Sequence, residues 1–281
     1  MKTVADTLGV SRSQLNARLT GQPKLRGRYR MAGDADLLAA VRTLTDGRPT
    51  YGYRRVCAVL NRERTAAGLP AVNHKRIYRL MSQNSLLLQR YTGKPPGQAH
   101  EGRIITIRPN LRWTSDGFEI ACWNGETVRV AFALDTFDRE AMAWTATTGG
   151  ITGEMIRDLM VESVEQRFGA VATVPHAIEW LSDNGSCYRA HETIAFAMNL
   201  GLVPCFTPVR SPQSNGMSEA FVKTFKRDYV YVHDRPDAQT VLAQLDSWFA
   251  DYNEYHPHKA LRMKSPREFI RSFHQPVACP V

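Results

Sequence analysis

The chain has 281 residues, of which 43% are hydrophobic, and a formal net charge of +9 with a pI of about 9.5. The positive charge is concentrated at one end: residues 1–100 contain 18 Lys and Arg against 5 Asp and Glu, whereas residues 101–281 contain 18 against 22. This asymmetry predicts a nucleic-acid-binding region joined to a nearly neutral domain. The alternative is a merely soluble, arginine-rich surface.

The cysteine pattern and the hydropathy exclude several classes of protein. Five cysteines, none of them in a C-x-x-C pair, argue against a disulfide framework or a zinc ribbon and favour a reducing compartment. The N-terminus lacks the apolar core of a signal peptide, and no run approaches the roughly 18 apolar residues of a membrane span. We therefore expect a cytoplasmic protein with no membrane partner.

Residues 4–19 have the pattern of two short helices. Gly9 interrupts the apolar periodicity, and Ser11 is a natural N-cap for the second helix. A short helix, a glycine turn and a Ser-capped helix are typical of a helix-turn-helix, although other helix pairs joined by glycine look alike. Residues 21–33 are polar and basic, so residues 1–33 are predicted to be a helix-turn-helix fragment with a basic linker.

Residues 34–90 are predicted to form a second, complete helix-turn-helix domain. Three helices are indicated, over residues 34–44, 54–67 and 74–83. The last of them carries basic residues between apolar ones, as a helix that reads a DNA groove does, whereas the alternative is a small bundle with a solvated basic face. The predicted DNA-binding residues of this domain are Lys75, Arg76, Arg79, Arg54 and Arg55. Residues 91–103, rich in Pro and Gly, are predicted to be a linker.

The periodicity then changes from helical to strand-like. The pattern predicts strands over 111–123, 127–135, 140–147, 177–181 and 202–206, and helices over 152–168, 190–199 and 217–229. Asn124 and Gly125 form a typical hairpin turn between the first two strands. Three antiparallel strands followed by alternating helices and strands indicate an α/β layered domain.

Three carboxylates in this domain have positions that local structure does not require. Asp116 lies inside an otherwise apolar strand, where an acid is costly to bury unless something compensates it. Asp183 opens the turn Asp-Asn-Gly, and Glu219 lies in the first turn of a helix, so turn formation and the helix dipole are alternative explanations for each. Taken together, a strand-end Asp and a helix-borne Glu with 35 residues between them can converge beside an acid of the first strand.

These residues occur in motifs that resemble a known family. The segments TSDGFE around Asp116, LSDNGSCYRA around Asp183 and SPQSNGMSEAFVKTFKRDY around Glu219 are similar to those of DDE transposases related to retroviral integrases, above all the OrfB-type transposases of bacterial insertion sequences. The later stretch YNEYHPHKAL, followed by SPREF, also resembles them. The resemblance implies an α/β, RNase H-like (integrase-type) catalytic core with a mixed five-stranded sheet, preceded by an all-α helix-turn-helix region. We place this core at residues 104–235, with a C-terminal helical extension at 236–281.

The resemblance also implies a metal-dependent mechanism. Two Mg²⁺ ions would be held by Asp116, Asp183 and Glu219, with Asp116 bridging both ions, and Mn²⁺ is allowed as a substitute. Two ions about 3.5–4 Å apart can activate an attacking oxygen and stabilise a leaving one. Hard carboxylate oxygens suit Mg²⁺, and converging carboxylates need cations to offset their repulsion.

Further DNA-binding residues are predicted around the three acids. Lys223 and Lys226 share one helical face with Glu219 and would hold phosphates, although a pair of solvated lysines is the alternative. Asn184 and Asn215 are candidates for positioning DNA or water, and residues 212–216 are predicted to be a flexible loop that orders on DNA. In contrast, His256 and His258 flank a proline, and we interpret them as a surface turn rather than a metal site.

The sequence therefore predicts a DNA transposase acting on double-stranded DNA, namely the terminal inverted repeats and the target. The resemblance implies at least a dimer on DNA, a nucleoid-associated location in a bacterium, and cleavage followed by strand transfer, with a circular intermediate as one route. It also suggests that the chain begins inside a longer frameshift product, which leaves an upstream OrfA-type partner or fusion open. One alternative function is a structure-selective nuclease of the same fold, which the helix-turn-helix region disfavours. The other is a non-catalytic DNA-binding protein descended from a transposase, which the three intact acids disfavour.

Overall fold

The computed structural model describes residues 2–20, 31–89, 106–207 and 216–274. They belong to two compact units, residues 1–40 and 41–281, which are described separately. The predicted linker at 91–103 lies outside the described residues, as do residues 21–30 of the other predicted linker. The described α-helices are α1 (Lys2–Thr7), α2 (Arg12–Leu19), α3 (Asp34–Gly47), α4 (Tyr53–Ala66), α5 (His74–Gln83), α6 (Gly153–Phe168), α7 (Ser186–Arg189), α8 (His191–Asn199), α9 (Gly216–Asp228), α10 (Ala238–Glu254) and α11 (Pro266–His274).

The first unit contains the predicted pair of short helices. Gly9 adopts a φ of +61°, a left-handed conformation that favours glycine, and it ends the turn after α1. Ser11 caps α2 with its hydroxyl, which accepts a hydrogen bond from the backbone N–H of Gln14 at 3.2 Å, while the Gln14 side chain accepts one from the Ser11 N–H. This reciprocal capping box explains why α2 begins where the sequence predicts.

Helices α3, α4 and α5 agree with the sequence except at one end. Helix α3 continues three residues beyond the predicted end at residue 44, through Thr45 to Gly47. The Thr45 hydroxyl donates to the carbonyl of Arg42 at 3.0 Å, so polar residues that suggested a loop instead extend the helix with their side chains partly in solvent. Asn73 caps α5 through its side chain, which accepts from the N–H of Lys75 at 2.8 Å.

The second unit is organised around one sheet. Its strands are β1 (Arg112–Ala121), β2 (Thr127–Asp135), β3 (Ala141–Thr147), β4 (Ile178–Ser182) and β5 (Leu202–Phe206). Their order is β3-β2-β1-β4-β5, in which β2 is antiparallel to both β1 and β3, and β4 is parallel to both β1 and β5. The expectation of an α/β fold with a mixed five-stranded sheet is therefore confirmed.

Apolar side chains cover both faces of the sheet. Phe118 and Ile120 of β1 pack with α9 and α10 on one face, whereas Trp113 packs with α6 and α8 on the other. Successive residues of a strand point to opposite faces, so the alternation along β1 places Asp116 on the same face as Phe118. Trp113, Trp180 and Trp248 belong to the core, since none is more than 3% exposed, and Trp144 is half-buried against it.

One short element was absent from the sequence-based description. Helix α7 is a single turn that directly follows the sharp bend at Asp183, Asn184 and Gly185. A four-residue helix has too few positions for a periodic apolar pattern, so only the bend was predictable. In the described part of the chain, no helix is long and apolar enough to cross a membrane.

Candidate active site and DNA-binding surface

Asp116 lies on β1 and is half-buried. Its Oδ1 accepts a hydrogen bond from the N–H of Gly117 at 2.8 Å. The pKa of Asp116 is raised to about 6, chiefly by burial and to a smaller extent by the negative charges of Asp183 and Glu219, against the opposite effect of the Gly117 hydrogen bond. Two other carboxylates therefore act electrostatically on Asp116.

Asp183 follows the last residue of β4, and the strand register places it beside Asp116. The two strands run parallel with Thr114 level with Leu181, so a step of two residues along each brings Asp116 and Asp183 to the same level. The Asp183 side chain is exposed, and its Oδ1 accepts from the N–H of Gly185 at 2.9 Å. Asp183 therefore both stabilises the turn after β4 and lies where it can serve a site with Asp116.

Glu219 lies in the first turn of α9 and is half-buried. Its Oε2 is 3.2 Å from Nζ of Lys223, one turn later on the same helix. The start of α9 is attached to β1, because the hydroxyls of Ser218 and Thr114 are hydrogen-bonded at 2.8 Å. This contact brings Glu219 next to the strand that carries Asp116.

The three predicted acids thus come together where the carboxyl end of β4 lies beside the middle of β1, next to the start of α9. In the described ranges, no three His, Cys, Asp or Glu side chains are already arranged around a common point as metal ligands are. Glu219 is instead turned towards Lys223, and like charges repel when no cation lies between them. Binding of a cation by all three would require Glu219 to rotate away from Lys223, which is possible for a half-buried side chain at a helix start.

The predicted lysines lie on the expected face of α9. The Lys223 side chain is 77% exposed, whereas Lys226 is half-buried with its Nζ 5.7 Å from the centroid of the Phe118 ring on β1. The Lys226 ammonium therefore lies over the strand that carries Asp116, and the Lys223 ammonium lies beside Glu219. Their positions are suitable for binding phosphate oxygens beside the three acids.

Of the two predicted asparagines, only Asn184 lies among the described residues. Nδ2 of Asn184 donates to the carbonyl of Thr207 at 2.8 Å, which links the turn after β4 to the residue that follows β5. Asn215 and residues 212–215 of the predicted flexible loop lie outside the described residues. Asn184 therefore links the parallel strands β4 and β5 at their carboxyl ends, beside Asp183.

The basic residues of α5 line one side of a helix whose other side is buried. Ile77 and Met81 are fully buried, whereas Lys75 is exposed and Arg76 and Arg79 are half-buried. A helix with one apolar face in the core and a basic face outside can present that face to a DNA groove. Arg54, at the start of α4, is also exposed.

Arg55 is not on that surface. Its Nη1 donates to Oδ2 of Asp228 at 3.0 Å, and the side chains of Arg55 and Asp228 are 22% and 1% exposed. Because Asp228 is the last residue of α9, Arg55 joins helix α4 to the domain that contains the sheet. The sequence placed Arg55 with the DNA-binding residues because its partner, 173 positions away, was not recognisable from the pattern.

Further contacts of the same kind connect this part of the chain to the core. The Arg48 guanidinium binds the Asp251 carboxylate of α10 with both terminal nitrogens, and Arg62 binds Glu268 of α11 at 2.6 Å. Tyr51 is buried between Arg48 and Arg55, whose guanidinium carbons lie 5.7 and 5.4 Å from its ring centroid. We call these residues and their partners the interdomain contact: Arg48, Tyr51, Arg55, Arg62, Asp228, Asp251, His256 and Glu268.

The interpretation of His256 and His258 as a surface turn is wrong. His256 is completely buried, with Nδ1 hydrogen-bonded to the Tyr51 hydroxyl at 3.0 Å. Burial lowers the pKa of His256 well below its usual range, with a further contribution from His258, and burial lowers the pKa of His258 to about 3. The proline between them suggested a loop, and only the fold shows that the loop packs under α4.

Comparisons with known proteins agree with this architecture. Two models described as integrase core domain match residues 107–212 and 200–266, and a model described as HTH-like domain matches residues 33–94. Transposase InsD for insertion element IS2A/D/F/H/I/K of Escherichia coli is 50% identical over 272 residues, which cover 95% of this chain and 90% of the relative. Transposase InsD for insertion element IS2-9 of Escherichia coli K12 is also 50% identical, covering 95% of this chain and 88% of the relative.

A likeness among solved structures concerns the fold alone. The cryoEM structure of the simian T-cell lymphotropic virus intasome in complex with PP2A regulatory subunit B56 gamma contains a chain that matches with a TM-score of 0.50 and 16% identity. The match covers 86% of this chain and 77% of that one.

Proposed function

The chain belongs to the transposases of insertion elements, with an integrase core domain and an HTH-like domain, and we propose that Asp116, Asp183 and Glu219 carry out its chemistry. The enzyme is a polynucleotidyl transferase that transposes DNA. One observation above all supports the residue assignment: the register of β1 with β4 brings Asp183 level with Asp116, and the Thr114–Ser218 hydrogen bond of 2.8 Å attaches the helix start that carries Glu219 to β1. In this proposal the three acids, from a strand, a strand end and a helix start, converge on one cation site once Glu219 turns away from Lys223.

The donor set fits Mg²⁺. All three side chains offer hard carboxylate oxygens, and Asp116 is a half-buried acid whose ionised form needs a nearby positive charge. Asp116 would contribute to holding both of two ions, and Asp183 and Glu219 would each hold one, with Mn²⁺ accepted in place of Mg²⁺. Such ions supply activation of the attacking oxygen and stabilisation of the leaving oxygen in phosphodiester displacement.

The basic residues of the chain then have separate tasks. Lys223 and Lys226 would bind phosphates of the DNA end beside the acids, and release of Glu219 from Lys223 would free both groups. Lys75, Arg76, Arg79 and Arg54 would bind the terminal inverted repeat. Asn184 would keep the turn of Asp183 fixed against the end of β5.

The assembly follows from the reaction. An element has two ends and each needs cleavage and joining, so we propose at least a dimer on DNA. The released 3′-OH would attack a second phosphodiester, either in target DNA or near the other end of the element to give a circle. An upstream OrfA-type partner or fusion is part of this proposal as a further factor for end binding.

A gel assay tests the assignment directly. Labelled DNA that carries the element's own ends is incubated with Mg²⁺ and with the native chain, with Glu219→Gln or with Asp116→Asn. We expect cleaved and joined products with the native chain and a loss of roughly 10³-fold or more in each variant, because each removes a ligand of the group that stabilises the transition state.

The matched control is Glu165→Gln, which makes the same change of charge on an exposed residue of α6. It should retain native activity. Native rates in Glu219→Gln or Asp116→Asn would show that the chemistry lies elsewhere. Cleavage without joining would instead support a nuclease.

A further inference from the structure

Two hydroxyl pairs flank Asp116 inside the core. Thr114 Oγ1 and Ser218 Oγ are 2.8 Å apart, and Ser115 Oγ and Tyr188 OH are 2.9 Å apart. Thr114, Ser115 and Ser218 have no exposed surface, and Tyr188 is 6% exposed. Both pairs are therefore shielded from water.

The two pairs point to opposite faces of the sheet. Thr114 and Ser115 are neighbours on β1, so their side chains lie on alternate faces. Thr114 meets Ser218, which directly precedes Glu219 at the start of α9. Ser115 meets Tyr188 of α7, the single turn that follows the bend at Asp183.

Each pair thus connects the strand of Asp116 to the element of one other acid. We propose that Thr114, Ser115, Ser218 and Tyr188 are positioning residues that hold the elements of Glu219 and Asp183 in register with β1. This inference rests on the proposed function, since it assigns a role relative to the three acids.

The apolar surroundings of these hydroxyls support a role in orienting the elements that they connect. Tyr188 packs in the apolar cluster with α6 and α8, and Phe221, one turn after Ser218, packs in the cluster on the opposite face. Apolar side chains of similar shape would fill these places without needing partners, and replacing both members of a buried pair is often neutral for stability. Unlike apolar packing, a hydrogen bond fixes the distance and angle between the two elements that carry its donor and acceptor. Burial raises the pKa of Tyr188 far above its usual range, so its hydroxyl keeps its proton and remains able to donate.

The need for such precision follows from the geometry of the acids. They come from β1, from the turn after β4 and from the start of α9, so no single rigid element fixes their separation. Groups that orient metal ligands without touching the metal typically change affinity or activity by about 10–100-fold when removed. A shift of α9 or α7 along β1 would move one carboxylate relative to Asp116 with the same consequence.

The test uses two double variants of the full chain, Thr114→Val with Ser218→Ala and Ser115→Ala with Tyr188→Phe. Each removes both members of one pair and leaves a side chain of similar shape. We expect cleavage and strand transfer to fall by roughly 10–100-fold. Binding of Mn²⁺ alone, followed by the loss of the EPR signal of the free ion, should weaken by a similar factor. Melting temperatures should remain close to that of the native chain.

Two controls and one single variant separate positioning from packing. Thr114→Ser keeps the hydroxyl and should retain most of the activity and Mn²⁺ affinity. Ser163→Ala removes another fully buried hydroxyl, one that donates to the carbonyl of Leu159 at 2.6 Å within α6, and should leave both readouts unchanged. If a double variant does not fold, Tyr188→Phe alone keeps the aromatic packing and should still lower both readouts.

The outcomes are distinct. Native Mn²⁺ affinity and native rates in folded pair variants, with Glu219→Gln inactive, would overturn the positioning role and leave the proposed active site intact. If Glu219→Gln itself is fully active, the active-site assignment fails and the positioning role falls with it. Loss of activity in Ser163→Ala of the same size as in the pair variants would reduce the effect to general core packing and also overturn the inference.

Discussion

Arg55 of α4 donates a hydrogen bond from Nη1 to Oδ2 of Asp228, the last residue of α9, over 3.0 Å. Glu219 lies at the other end of the same helix, about 14 Å away along its axis. The helix that carries one proposed catalytic acid is therefore fixed at its far end by a residue of the HTH-like domain. Both regions belong to the same compact unit.

This ion pair gives a prediction that separates two adjacent arginines. Arg55→Met should lower the free energy of unfolding by about 1–3 kcal/mol, because it removes a partner of a buried carboxylate that then retains Arg227. Arg54→Met, the exposed neighbour, should change it by less than about 0.5 kcal/mol. Denaturant unfolding measures both, and equal values for the two variants would contradict the buried ion pair.

In DNA binding, Arg54→Met should have a larger effect than Arg55→Met. Arg54→Met should reduce the slope of log K against log salt by roughly 0.9, the value for one phosphate that the protein no longer neutralises, whereas Arg55→Met should leave the slope unchanged. Binding to a terminal-repeat duplex at several salt concentrations gives the slopes. A shallower slope for folded Arg55→Met would return Arg55 to the DNA surface.

Helix α5 is expected to bind the phosphates of the terminal repeat. Arg76→Ala combined with Arg79→Ala should weaken binding and make the salt dependence shallower by roughly 0.9 for each phosphate that these side chains neutralise in the native complex. Arg129→Ala is the control, because Arg129 is bound to Glu119 on the sheet, away from α5. If the double variant keeps the native slope, α5 lies outside the DNA interface.

Local patterns explain why most of the core was predictable. Alternation along β1 and β2, the turn at Asn124 and Gly125, and the cap at Asn73 each depend on neighbours within a few residues. The acids were recognised because carboxylates at Asp116, Asp183 and Glu219 have no local structural need that explains all three. Their convergence was inferred from chain order, and the register of β1 with β4 agrees with that inference.

The interdomain contact was not predictable because its partners are distant in sequence. Arg48 and Asp251 are 203 positions apart, and no local pattern marks either as half of an ion pair. The histidines at 256 and 258 were assigned to the surface since polar residues beside proline usually occur in exposed turns. Burial of such residues depends on tertiary packing, here of Tyr51 and of Arg62 in α4 against the loop before α11.

Partly buried His258 should make the chain sensitive to acid. The pKa of His258 is lowered to about 3 in the folded state. Below about pH 6.5 the imidazole is therefore protonated in the unfolded chain but stays neutral in the folded chain. Stability is therefore present in full above pH 6.5 and is lost as the pH falls, by about 1.4 kcal/mol per pH unit for each such histidine. His258→Asn should flatten the decline in the free energy of unfolding between pH 6.5 and 5. Parallel curves for native chain and variant would contradict a buried neutral imidazole.

Asp116 should have the opposite pH dependence. Its pKa is raised from 3.8 to about 6, so between these values the folded chain holds a proton that the unfolded chain has released. This contribution stabilises the folded chain in acid and is lost as the pH rises through about 6. Without divalent ions, Asp116→Asn should therefore be more stable than the native chain at pH 8, by roughly 1–3 kcal/mol, and the difference should disappear near pH 4.

At pH 8, divalent ions should make the native chain more stable than Asp116→Asn. Mg²⁺ binds the ionised carboxylate, so it should raise the melting temperature of the native chain and leave that of Asp116→Asn nearly unchanged. Its effect on the native chain should weaken as the pH falls below about 6, where the proton competes for Asp116. Glu165→Gln, with its altered charge on α6, should respond to Mg²⁺ as the native chain does. Equal responses of the native chain and Asp116→Asn to Mg²⁺ at pH 8 would show that Asp116 does not hold the ion, and would remove it from the proposed set of three acids.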